Sequence, residues 1–75
     1  AMSFVLTVPC RVTVSVFDVS GREVAVLADG EFDAGRHPVM WDGRDAGGNK
    51  VATGVYFCSA ASAEQEARRK MVLVR

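Results

Sequence analysis

Oxygen-bearing side chains crowd one stretch of the chain, Asp42-Gly43-Arg44-Asp45-Ala46-Gly47-Gly48-Asn49. Hard cations such as calcium take several oxygen ligands from a tight turn, and Asp42, Asp45 and Asn49 offer such oxygens. Their spacing does not match an EF-hand loop. Asp and Asn also close turns by bonding their own backbone, and the glycines here suit that role. The turn reading therefore outweighs the metal reading, and neither a metal site nor a cofactor is expected.

His37, Ser20 and Ser62 could supply a base and a nucleophile on paper, beside several acids. No glycine-flanked nucleophile or paired acids surround them in a recognisable context. A pocket able to enclose a substrate would also consume much of so small a core. No enzyme and no catalytic residue are expected. Cys10 and Cys58 are too few for a zinc cage, and His37, the single histidine, has no fellow ligand at metal spacing. A Cys10–Cys58 disulfide would close a loop of about 48 residues and, on chain-entropy grounds, add roughly 4 kcal/mol. Two buried free thiols are the equal alternative, and the residues leave the choice open. Arg68, Arg69 and Lys70 stand ahead of the apolar run Met71 to Val74. Such charges either guard a strand edge against aggregation or form a recognition surface for an acidic partner, and composition alone favours the guard. Trp41 and Tyr56 could stack on sugars, yet aromatics at inward positions more often fill a core.

The elements that must position these groups are bounded by size. Seventy-five residues make one domain at most, with 49% apolar and 24% charged residues, a composition that folds. Nine basic residues offset nine acidic ones, so no general field draws the chain to nucleic acid. The longest apolar runs are a few residues, far short of the roughly 20 that span a bilayer, so no membrane span is expected. Ala1 and Met2 lead straight into Ser3 and Phe4 without a signal-peptide pattern, which leaves room for a cloning remnant at positions 1–2.

Period-two patterning dominates. Val12, Val14 and Val16 face one way and Arg11, Thr13 and Ser15 the other, which predicts a half-buried strand. Ser20 and Gly21 mark a turn, and Val24, Val26 and Ala28 resume the alternation in a second strand ending at Asp29 and Gly30, so the two form a hairpin. After a turn around Asp33 to Gly35 comes a third run in which Val39 and Trp41 point inward. Pro38 cannot donate to a ladder, so that strand either has a free edge there or begins after it. Residues 42–49 form a long turn. A strand opened by Gly54 runs through Val55, Tyr56, Phe57 and Cys58. Residues 60–67 could be helical by propensity, but they are read as a hairpin connection leading to a last strand over Met71 to Val74. Cys10 and Cys58 both take inward parity. Five or more short strands with turns every 8 to 12 residues predict an all-β sandwich or barrel.

Four separate segments, in order, resemble one family. They are Phe4, Leu6, Val12 to Val16 and Phe17-Asp18-Val19-Ser20-Gly21-Arg22; then Ala34-Gly35-Arg36-His37 with Trp41-Asp42-Gly43-Arg44-Asp45 and Gly48; then Gly54-Val55-Tyr56-Phe57; and last Arg69-Lys70-Met71-Val72-Leu73-Val74. The set is similar to the immunoglobulin-like domain of the flagellar hook-capping protein and to the related C-terminal sorting domains of type IX secretion cargo. The resemblance runs from Phe4 to Arg75. It implies a small immunoglobulin or fibronectin-III-like antiparallel β-sandwich, a single module over residues 1–75 at the C-terminus of a larger bacterial protein. It also implies an extracytoplasmic location, secreted or cell-surface by way of the periplasm. Carried over by position, the recognition residues are Gly54, Val55 and Tyr56, with Lys70, Met71, Val72, Leu73 and Val74. Thr7 and Cys58 depart from the family pattern, as does the lack of a lead-in strand before Phe4, which leaves an edge open to strand addition or self-association.

The expected function is a sorting and attachment domain read by export or anchoring machinery. The alternative is a structural immunoglobulin-like interaction module, of the hook-cap kind or a surface-protein spacer, and glycan binding ranks third. In each of the first two the partner is a protein.

Overall fold

Among the described residues the most buried side chains are the three valines of the first alternating run, with Val12 at 2% and Val14 and Val16 at 0% exposure. The computed structural model describes residues 2–63 and 65–74, so expectations placed on Ala1, Glu64 and Arg75 lie outside the described residues. Among the described residues six strands are formed: β1 Met2–Leu6, β2 Cys10–Asp18, β3 Glu23–Phe32, β4 Gly35–Val39, β5 Gly54–Ala61 and β6 Glu66–Leu73. Every pairing is antiparallel. One sheet has four strands in the order β3-β2-β5-β6, and the other is the pair β1-β4. The fold is therefore the all-β sandwich that alternation and turn spacing predict.

β2 is central to the larger sheet because its valines need neighbours on both sides. Val16 stands opposite Ala25 of β3 and Cys58 of β5, and Val14 opposite Ala28 and Ala60. Residues opposite one another share a sheet face, so Val12, Val14, Val16, Tyr56, Cys58 and Ala60 line the inner layer. Phe4, Leu6 and Val39 of the small sheet pack down on this cluster. Phe4 also meets Phe32 edge-on at 5.4 Å and the ring of His37, its cross-strand partner, at 5.1 Å. His37 Nε2 bonds the Asp33 carbonyl oxygen at 2.7 Å, so the single histidine braces the β3–β4 turn.

Two details differ from the alternation read along the chain. β3 does not stop at Gly30 but continues to Phe32, because Gly30 and Phe32 pair with Val12 and Cys10. Its length is absorbed by two bulges, with Leu27 and Val24 falling between paired positions, so a strict period of two misplaces its end. Trp41 lies outside any strand, since β4 ends at Val39. Pro38 sits inside β4 opposite Ser3 and is tolerated because β4 pairs with β1 alone. Ser62 N donates to the Gln65 carbonyl at 2.7 Å between β5 and β6, as a hairpin requires.

Cys10 and Cys58 are both free thiols. Register explains why. Cys58 faces Val16, and Cys10 lies six positions back along β2 opposite Phe32, so their Cα atoms are about 20 Å apart at the usual strand rise. A disulfide needs Cα atoms within about 7 Å. Burial raises the Cys58 thiol above its ordinary 9.0 and keeps it protonated. Among the described residues no helix is long and apolar enough to cross a membrane.

Candidate functional site

The two segments assigned to recognition are far apart in sequence and adjacent in space. Gly54, Val55, Tyr56 and Phe57 open β5 and pair with Leu73, Val72, Met71 and Lys70 at the end of β6. The pleat then divides them. Tyr56, Met71 and Leu73 turn inward, and Tyr56 is only 7% exposed. Its hydroxyl donates to the Ala52 carbonyl at 2.6 Å, and its ring receives Trp41 edge-on at 5.0 Å. Tyr56 is thus a core brace with its polar end satisfied, and Trp41 closes the end of the sandwich over it. Val55, Lys70 and Val72 turn outward, with Val72 at 66% exposure, and Val74 just beyond the strand is at 77%.

The outward face holds residues that alternation alone does not mark. Phe17 and Phe57 are direct cross-strand partners there, and the Arg68 guanidinium lies over the Phe17 ring, 5.5 Å from its centre. Lys70 stands beside Phe57 and Ser59 opposite Arg68. Phe17, Phe57, Val55 and Val72 make an apolar band fringed by two cations. The signal in the sequence is the loss of alternation, since Val16-Phe17 and Val55-Tyr56-Phe57-Cys58 are apolar on both faces.

The acidic loop spends its carboxylates on its own backbone. Asp45 Oδ1 accepts from the amides of Gly47 and Asn49 at 3.0 and 2.9 Å, and Asp42 Oδ1 from that of Arg44 at 3.0 Å. Arg44 donates to the Gly48 carbonyl at 2.9 Å, and Gly48 takes a φ of 82°, a conformation glycine adopts without strain. Ala46 N donates to the Val24 carbonyl at 3.1 Å, which ties the loop to the edge of β3. His37, Ser20 and Ser62, the residues a catalytic group would need, sit on three separate segments: strand β4, the β2–β3 turn and the β5–β6 connection.

A second acidic turn joins β2 to β3. Asp18 Oδ1 accepts from Ser20 Oγ at 2.6 Å and from the amides of Ser20 and Arg22 at 2.9 and 3.0 Å. The Ser20 hydroxyl bond first, then the Arg22 amide, holds the carboxyl below its ordinary 3.8. A lowered folded value favours the ionised form. Its contribution to stability is therefore present above pH 3.8 and is lost as pH falls through the lowered folded value. An NMR titration of the Asp18 carboxyl is expected to give a midpoint below 3.8 that rises in Ser20→Ala. A midpoint unmoved by that change would contradict the assignment.

Comparison with known proteins identifies the sandwich. The chain matches the family described as the FlgD Ig-like domain over residues 2–66. It belongs to that family. The basal-body rod modification protein FlgD of Salmonella typhimurium is 41% identical to it over 46 residues, and the protein of the same name from Salmonella typhi is equally similar. That match covers 61% of this chain and 20% of the relative. No solved structure matches at a significant level. Two expectations are corrected by these findings. The FlgD Ig-like family and its relatives give no support to the type IX sorting reading. They also overturn the secreted or cell-surface location, because both relatives are named for the flagellar basal-body rod rather than for secretion or surface attachment.

Proposed function

We propose that this chain is a structural interaction module of a longer flagellar rod or hook assembly protein, holding a protein partner against the outer face of its four-stranded sheet. One observation supports the surface: the Phe17–Phe57 pair and Val72, apolar and outward, fringed by Arg68 and Lys70. Aromatic and arginine side chains together are the composition of binding hot spots. In this reading Val55, Lys70, Val72 and Val74 make contact, while Gly54, Tyr56, Met71 and Leu73 support them from within the sandwich. The FlgD relatives supply the assembly context.

Val72→Asp tests the reading, since its side chain is largely exposed. Exposed substitutions of this kind change stability by about 0.5 kcal/mol or less. The isolated domain should melt as the parent does. The full-length flagellar protein carrying Val72→Asp should fail to restore swimming to a strain lacking it. Normal swimming with that variant would exclude the outer face as the working surface.

A further inference from the structure

The two sheets are unequal, and the shortfall lies on one side. The two-stranded sheet covers a four-stranded one, and the inner face of β6 is only partly roofed, with Ala67 and Arg69 exposed. A groove runs between β1 and β6, floored by Val14, Cys58 and Ala60 and walled by Phe4 and Val39. Arg69 stands at its rim, because it pairs with Cys58 and so turns to the inner face. Among the described residues the Arg69 side chain has no hydrogen-bond or ion-pair partner, the ion pairs being Arg11 with Asp29 and Arg68 with Glu66.

Among the described residues β1 is paired with β4 alone, and its side toward this groove carries no strand. Other edges are guarded: β3 by two bulges and by the loop bonded at Val24, β4 by Pro38, and β6 by Arg68 and Lys70. β1, with the sequence Met-Ser-Phe-Val-Leu, has no charge, proline or bulge, and Val5 is 69% exposed.

We infer that the groove beside β1 accepts an extended segment of a partner protein, apolar at alternate positions and carrying a carboxylate that meets Arg69. Such a strand would bond the free side of β1, extend the small sheet to three strands and cover Ala60 and Ala67. Its inward side chains would meet an apolar floor and one cation, so charge selects the occupant. A second copy of this chain meets that requirement poorly. Its β1 carries no acid, and its acidic strand β3 is bulged and tied to the loop at Val24. This groove is on the opposite face of the large sheet from the band that contains Val72.

The test uses synthetic extended peptides of about seven residues, valine alternating with threonine, in which one valine is replaced by glutamate or by lysine. Fluorescence anisotropy against the whole chain should show the glutamate peptide binding at least about tenfold more tightly than the lysine peptide. Arg69→Glu, an exposed change that leaves the fold intact, should reverse that order. Amide shifts on binding should fall on β1 and on Arg69, and Val72→Asp should leave the affinity unchanged. Equal affinity for both peptides, or binding lost in Val72→Asp but kept in Arg69→Glu, would overturn the inference. So would sedimentation showing a dimer that excludes the peptide, since a second copy would then fill the groove.

Discussion

Val14→Asp is expected to leave the chain unfolded under native conditions. Val14 is fully buried in the central strand, with Ala28 on one side, Ala60 on the other and Phe4 across the groove that borders it. No cation among its cross-strand partners can pair with a carboxylate there. Burying an unpaired charge costs several kcal/mol even after relaxation. A core of this size supplies only about 3–5 kcal/mol in all. The milder Val14→Ala removes two methyl groups from the same site and should cost about 2–3 kcal/mol. At about 4–8 °C per kcal/mol for a domain this small, its melting temperature should fall by roughly 10–20 °C. Far-UV circular dichroism with urea titration reads both. A Val14→Asp chain that still melts cooperatively near the parental temperature would mean that the inner layer is not where the valines place it.

The second large effect is expected at Trp41→Ala. Trp41 is the chain's one tryptophan. Its ring meets Tyr56 at 5.0 Å, and its Nε1 donates to the Arg44 carbonyl at 2.9 Å. Tyr56 in turn bonds Ala52, so these two aromatics pin both ends of the long loop, residues 40–53, to the end of the sandwich. Removing the indole takes away the packing and the loop's anchor together, a loss of about 2–4 kcal/mol for a partly exposed ring. Trp41→Phe keeps most of the packing and drops the hydrogen bond, about 1 kcal/mol. Urea midpoints should rank parent, Trp41→Phe, Trp41→Ala. In Trp41→Ala the amides of Asp45 and Ala46, which are held in the loop, should exchange with solvent faster. Equal midpoints for the two variants would show that the ring contributes no packing.

Several elements were legible in the chain because local rules decide them. The β2–β3 hairpin follows from two alternating runs around Ser20-Gly21, and Asp18 reinforces it with three bonds to the turn. The β5–β6 hairpin prevails over the helix propensity of residues 60–67, because flanking strands with apolar inner faces bury more than an isolated turn of helix could. Asp42 and Asp45 read as turn formers, and their carboxylates accept from loop backbone amides, that of Asn49 among them.

Other features were not legible. The end of β3 depends on bulges, which shift pairing without changing composition. Whether Cys10 and Cys58 could bond depended on register: both turn inward, yet they lie far apart along β2. The outward Phe17–Phe57 pair was hidden because an apolar residue next to an inward valine looks like core until the pleat is known. Arg68, Arg69 and Lys70 read as one basic cluster, but the pleat sends Arg68 and Lys70 to one face and Arg69 to the other.

By itself, then, the sequence determined that this protein is a small antiparallel sandwich built on Val12, Val14 and Val16, with a family likeness spread along most of its length. Those properties rest on periods of two and on turn chemistry, which are local. Only the tertiary structure decided which apolar residues face solvent, that the start of β5 lies beside the end of β6, and that Arg69 stands at the rim of the groove beside β1. Each of those depends on the register between strands distant in sequence, and register is set by the packing of both sheets at once.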